Sequence, residues 1–419
     1  MFFYILISKG DVVLREKTQK RKKITAVMFI IVLSLLFSGN FINYRIAGKT
    51  LLDNYREQTA QETGFFDKAK AFISSADAGV NEATLARDDF VEIYGLVQKC
   101  IHKKIMPDPM YGALYKTDDG KINFSVEKKY MDDYLGSMYD LANGLKEADI
   151  PMLYVQFPFK LPPKNIENSL PVTANDYSNE NADYFIKNLK SAKLNVYDIR
   201  SDFWNLKMNR DKMFFNTDHH WTIEAAFKAT GLLERYLNKN FGFKIDEKYR
   251  DINNYNKKIY KNCFVGSMGR RVGRVYGGVD DFTLITPKFD TSFKLVENDG
   301  ENSKVFRGSF EDAVLDKAYL ENKDITTNRY AVYHGDNREL IFTNNKVKGG
   351  KVLIIKDSFG IPVYSFMSLG VHEVRALDLR LFNEDLLEYA KLCKPDIVIV
   401  MYNVDCFKDE MFDFKGQIK

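Results

Sequence analysis

The chain has only four cysteines in 419 residues, and Cys100, Cys263, Cys393 and Cys406 form no CxxC pair and no Cys/His spacing of a metal site. No metal is expected and no cofactor motif stands out. Prolines number only ten while 45% of residues are hydrophobic and 14% aromatic, which excludes a disordered or fibrous chain. A diffuse positive field is also missing. The formal balance of 61 basic and 57 acidic residues is +4, yet Lys9–Lys23 alone carries seven basic and two acidic residues, leaving the remainder at −1. That excludes nucleic acid as a partner.

The local basic excess adjoins a stretch without charge. From Ile24 to Tyr44 no ionisable acid or base interrupts the Ile, Val, Leu and Phe, and 21 residues at about 1.5 Å each match a bilayer core of about 30 Å. The spacing predicts a transmembrane helix at 24–44 behind a cytoplasmic basic tail at 1–23. By the positive-inside bias everything beyond Arg45 lies outside the membrane. Ser38 and Gly39 are small, but no Ala-x-Ala cleavage site follows, so a retained single-pass anchor at the cell membrane is expected over a cleaved signal.

Residues 45–105 carry a polar helical pattern that predicts a stalk or collar, and Pro107-Asp108-Pro109 ends it. A hairpin is expected over Tyr111–Phe124 and a helix over Val126–Ala148. Apolar runs at 152–157, 195–199, 352–355, 371–377 and 397–401 read as strands buried on both faces. Helical patterns at 181–192, 223–237 and 383–392 interleave with them, predicting a doubly wound, three-layer α/β core over 106–419. Gly- and Asn-rich text at about 241–350 predicts a mostly β insertion.

Two segments carry chemistry. Thr217-Asp218-His219-His220-Trp221-Thr222 precedes a helix, with Thr222 placed as its N-cap. If that segment is extended, residues i and i+2 share a face, so Asp218 pairs with His220 while His219 points elsewhere. The second, Leu353 to Gly360, is a buried strand that stops at Asp357-Ser358 and turns toward a helix. Ligands of open α/β sheets bind at that strand edge. A serine becomes nucleophilic when a histidine of pKa about 6.5 takes its proton and a carboxylate fixes the tautomer. Ser358, His220 and Asp218 supply those roles, with the Ser358 N–H as one oxyanion donor.

The pairing of Asp218-His219-His220-Trp221 with Asp357-Ser358-Phe359 resembles the DHHW protein family, relatives of the alginate O-acetylation proteins in the SGNH-hydrolase-like superfamily. The resemblance implies a flavodoxin-like α/β/α domain outside the cytoplasm in which Ser358 carries an acyl group, His220 is base and acid, and Asp218 orients it. It also implies a polysaccharide acceptor, and an acetyl donor delivered by a multispanning membrane O-acyltransferase. The expected activity is membrane-anchored O-acetyl transfer onto a surface or secreted polysaccharide. A carbohydrate acetylesterase and a non-catalytic glycan-binding scaffold are the alternatives.

Lys356 stands where a Gly-Asp-Ser block would have glycine, a departure that touches the turn geometry. Gly266, Asn403 and Arg380 are candidates for holding an oxyanion or substrate. Arg270, Arg271 and Arg274 lie in a glycine-containing stretch without the ending of a phosphate loop. His334-Gly335-Asp336-Asn337 reads as a tight turn, and His102 and His372 as structural.

Overall fold

The computed structural model describes residues 87–163, 170 and 174–417, the helix at 44–59, and scattered positions between 27 and 76. The chain divides into two compact units at Phe90/Val91. In the first, α1 (Tyr44–Thr59) has 16 residues, five of them charged, and spans about 24 Å. That is short of a bilayer core and too polar for one. Among the described residues no helix is long and apolar enough to cross a membrane. The transmembrane part of the expected fold, the single-pass topology with a cytoplasmic N-terminus and the membrane-anchored form of the expected function are corrected accordingly. The basic tail at 1–23 and nearly all of 24–44 lie outside the described residues.

The second unit begins within α2 (Arg87–Cys100), followed by a small antiparallel sheet of β1 (Ile105–Asp108), β2 (Gly112–Lys116) and β3 (Ile122–Asn123). Next come α3 (Asp132–Glu147), β4 (Met152–Gln156), α4 (Ser178–Ser191), β5 (Val196–Asp198) and α5 (Ile223–Phe241). Helix α3 starts later than the sequence pattern. Val126 N–H is tied to Asp176 at 3.0 Å and Lys129 N–H to Asn181 at 3.2 Å, which holds the preceding segment against α4. Residues of the expected insertion supply the ribbon β6 (Tyr255–Phe264) and β7 (Asp280–Pro287), then β8 (Phe293–Asn298), β9 (Ser303–Gly308) and β10 (Glu339–Asn344). The chain closes with β11 (Lys351–Lys356), α6 (Gly360–Gly370), β12 (Glu373–Leu377), α7 (Leu386–Cys393) and β13 (Ile397–Tyr402).

The main sheet runs β5-β4-β13-β11-β12-β10-β8-β9. Its first five strands are parallel, and β10, β8 and β9 extend it antiparallel. The central strands are apolar throughout because alternate side chains feed two different cores. Ile397, Ile399 and Met401 of β13 pack with Phe227 of α5 and Phe366 of α6. Val398, Val400 and Tyr402 pack with Leu141 of α3, Phe185 of α4 and Leu386 of α7. This is an α/β/α layering. The C-terminal ends of β11, β12 and β13 lie side by side and present their following loops along one edge.

Candidate active site

Ser358 occupies the turn between β11 and α6. Asp357, buried beneath it, accepts hydrogen bonds from the Phe359 N–H at 2.9 Å and from the Asn403 N–H, which joins the ends of β11 and β13. Burial raises the Asp357 pKa, against the pull of those bonds. Gly360 allows the turn to close, since a Cβ there would sit 2.7 Å from Lys356 Cβ. The Ser358 N–H has no hydrogen-bond partner among the described residues.

Lys356 is 1% exposed and still charged. Its ammonium lies 2.5 Å from Asp336 and 2.9 Å from Asp378, and Arg380 bridges the same two carboxylates. Two cations and two anions thus form a closed ring under the Ser358 turn. Burial lowers the Lys356 pKa, but Asp378 and Asp336 outweigh it and leave the net shift upward. Where a glycine would leave room, this chain places an ion ring. The turn at His334–Asn337 is therefore more than a connection, because it brings in Asp336.

The opposing segment is a tight loop. Phe214 and Trp221 pair as an isolated bridge, with Phe215 N–H bonded to His220 O at 3.1 Å and Thr222 N–H to Met213 O at 2.9 Å. Thr222 then caps α5 through Ala225 N–H at 3.3 Å. The loop is held from below by Lys160, whose ammonium donates to the carbonyls of Ile122, Asn216 and Asp218 at 2.6, 2.9 and 3.0 Å. Burial pushes the Lys160 pKa down to about 7. Asp280 accepts the N–H groups of Asn216 and Thr217, each at 2.7 Å.

These supports bring three groups into one chain of hydrogen bonds. Asp218 Oδ1 is 2.6 Å from His220 Nδ1, and His220 Nε2 is 2.7 Å from Ser358 Oγ. Asp218 also accepts the N–H of His220 at 3.0 Å and of Ser267 at 2.9 Å. Burial drives its pKa up, but the His220 and His219 imidazoles and these bonds hold it well below the usual carboxylate range.

The bare three-residue arrangement expected from the sequence needs correction. His219 does not point away: its Nδ1 is 3.4 Å from Asp218 Oδ1 and 3.3 Å from Ser267 Oγ, and its ring lies 3.9 Å from that of His220. The extended backbone that would separate them is absent, because 216–219 forms the loop tip. Two imidazoles therefore share one carboxylate. Asp218, His219 and His220 bring three potential metal donors within 4.8 Å, but the Asp218 and His220 atoms are already engaged with each other.

A cavity of about 290 Å³ opens over Ser358, lined also by Asp218, His219, His220, Gly266, Arg380, Tyr111 and Asn328. The Gly266 N–H is taken by Thr217 Oγ1 at 2.8 Å, and a Cβ at Gly266 would come within 2.3 Å of Asp218. Glycine there makes room for the carboxylate instead of offering a donor. Asn403 is buried below the cavity, donating its side chain to Pro158 O at 2.6 Å and its N–H to Asp357. Arg380 lines the cavity with its side chain 40% exposed. Sequence reasoning missed His219, Lys160 and Asp336; only His219 had a visible signal, its place inside the Asp-His-His-Trp block.

The family described as SGNH hydrolase-like domain, acetyltransferase AlgX, matches residues 114–248. PatB1 of Bacillus cereus, solved with a sulfonyl adduct, is similar at 22% identity and TM-score 0.59, covering 71% of this chain and 97% of its own. A DHHW family protein from Eubacterium siraeum is similar at 14% identity and TM-score 0.54, covering 73% of this chain and 96% of its own. No curated protein matches the sequence. With the two motifs meeting at one sheet edge, the chain is similar to the SGNH hydrolase-like AlgX family over residues 114–248 and shares the fold of PatB1 and of the DHHW family protein.

Proposed function

We propose that the chain is a serine-dependent enzyme that moves or hydrolyses acetyl esters on a polysaccharide, with Ser358 as nucleophile, His220 as general base and acid, and Asp218 as the group that orients His220. The observation that carries this reading is the continuous run of short hydrogen bonds from Asp218 through His220 to Ser358 at the wall of an open cavity. His220 Nε2 takes the proton from Oγ as Oγ bonds to the ester carbonyl carbon. The ester C–O bond then breaks, and the leaving alcohol receives that proton. An acceptor hydroxyl or water loses its proton to His220 and attacks the acetyl-enzyme, and Ser358 Oγ recovers the proton as it leaves. General base catalysis of this kind contributes about 10² to 10⁴ in rate. The unengaged Ser358 N–H and the Arg380 guanidinium are the groups proposed to face the developing oxyanion.

The match to the family described as acetyltransferase AlgX supports the acetyl chemistry, and the polysaccharide as substrate class follows from the resemblance carried by the Asp218–Trp221 and Asp357–Phe359 motifs. An acetyl donor delivered by a multispanning membrane O-acyltransferase belongs to the same proposal, and co-purification with such a protein tests it. The central test is labelling of the full chain by a fluorophosphonate with Ser358→Ala as control, followed by assay of acetate release and glycan acetylation. Labelling lost in the variant supports the enzyme. Ester turnover by the Ser358→Ala variant at the wild-type rate would overturn it.

A further inference from the structure

His219 takes no part in the proposed proton relay, yet it lines the cavity beside His220. Its Nδ1 lies 3.4 Å from the ionised Asp218 Oδ1, so the proton belongs on Nδ1, where a lone pair would face negative charge. The Ser267 hydroxyl accepts from the same nitrogen at 3.3 Å, and Tyr111 OH lies 3.1 Å beyond it. Nε2 is left with its lone pair. It has no hydrogen-bond partner among the described residues, and the side chain is 19% exposed toward the cavity. Burial, then the neighbouring His220, pushes the His219 pKa down to about 3, so this imidazole stays a neutral acceptor at ordinary pH. An edge contact from Phe124 and a tilted contact from Phe359 hold the ring.

An acceptor that attacks an acetyl-enzyme must present one hydroxyl to His220. The His219 ring, tilted by 35° with its centre 3.9 Å from that of His220, lines the same cavity. We propose that His219 Nε2 accepts a hydrogen bond from a hydroxyl on the next carbon of the same ring, so that vicinal diols of a sugar ring are preferred to isolated hydroxyls. The inference rests on the reading of Ser358 as the acyl carrier. His219 is thus a specificity-determining residue for the alcohol acceptor.

The test measures partition of the acetyl group from p-nitrophenyl acetate among water, cyclohexanol and trans-1,2-cyclohexanediol, using the full chain. One neutral hydrogen bond corresponds to a preference for the diol of about fivefold beyond the statistical factor of two. His219→Asn and His219→Phe should both remove that preference, while His219→Gln, whose side-chain oxygen reaches further toward the position of Nε2, should keep part of it. Near-ultraviolet circular dichroism identifies which variants are folded, and either of the first two suffices. An unchanged preference in a folded variant, or none in the wild type, overturns the inference while leaving Ser358 acetylation, read by mass spectrometry, intact. A wild-type chain that never carries acetyl on Ser358 overturns the underlying reading, and this inference with it.

Discussion

Trp221 Nε1 donates to the Phe359 carbonyl at 3.2 Å and to Tyr330 OH at 2.8 Å, which ties the histidine loop to the turn that carries Ser358. The indole is fully buried against Phe157 and Phe203. Replacing it with phenylalanine keeps an aromatic ring and removes the donor. Trp221→Phe should destabilise the chain by about 1 to 3 kcal/mol, the cost of leaving the buried Tyr330 hydroxyl without its donor, while the Phe359 carbonyl keeps the Tyr330 O–H. It should also lower the rate of Ser358 labelling, because the His220 to Ser358 distance is no longer fixed from that side. Denaturant titration and fluorophosphonate kinetics read the two effects.

Asp218→Asn preserves the shape of the carboxylate and removes its charge. His220 then loses the partner that holds the proton on Nδ1, and turnover of an activated ester should fall by about 10⁴, the order seen when a serine protease relay is altered in this way. Stability carries a second signature. The folded pKa of Asp218 lies below its unfolded value of about 3.9, so its contribution is present above pH 4 and is lost as pH falls through the folded pKa. Acid unfolding below pH 4 should therefore be shallower in Asp218→Asn, as measured by urea midpoints across that range.

Lys160 gives the opposite pH window. Its folded pKa of about 7 lies below the unfolded value of about 10.4, so between these the unfolded chain holds more protons and stability rises with pH. Lys160→Met should remove that rise. It should also destabilise the chain by about 1 to 3 kcal/mol by leaving the carbonyls of Ile122, Asn216 and Asp218 without their donor. Thermal unfolding of both chains at pH 6.5 and pH 9.5 separates the two effects.

The parallel core was legible because strands buried on both faces keep no polar alternation, as in Ile397–Tyr402, and because Thr222 marks the start of α5 as its N-cap. The pairing of Asp218 with His220 was legible from the motif, but the place of His219 was not. Alternation of side chains holds along a strand, and the loop closed by Phe215 and His220 breaks it. Gly266 and Asn403 were misread for a related reason. Their N–H groups are claimed by Thr217 and Asp357, partners 49 and 46 residues away that no local pattern discloses. The apolar stretch at 24–44 was read by length and flank alone, and among the described residues no helix is long and apolar enough to cross a membrane.

The ion ring under the Ser358 turn predicts an asymmetry between its members. Lys356 and Asp378 are both sealed from water, whereas Arg380 reaches the cavity. Removing one partner of a buried pair leaves an uncompensated charge and costs about 3 to 5 kcal/mol. Lys356→Met should therefore cost stability in that range, since Asp336 and Asp378 would be left with Arg380 alone. Arg380→Gln should cost less, because water can reach the vacated position and Lys356 still joins both carboxylates. Its effect should fall on turnover instead, through the face that the guanidinium turns to the cavity. Urea unfolding set beside kcat for an acetyl ester distinguishes the two members. Equal stability losses in both variants would mean that the ring is not divided into a sealed half and a working half.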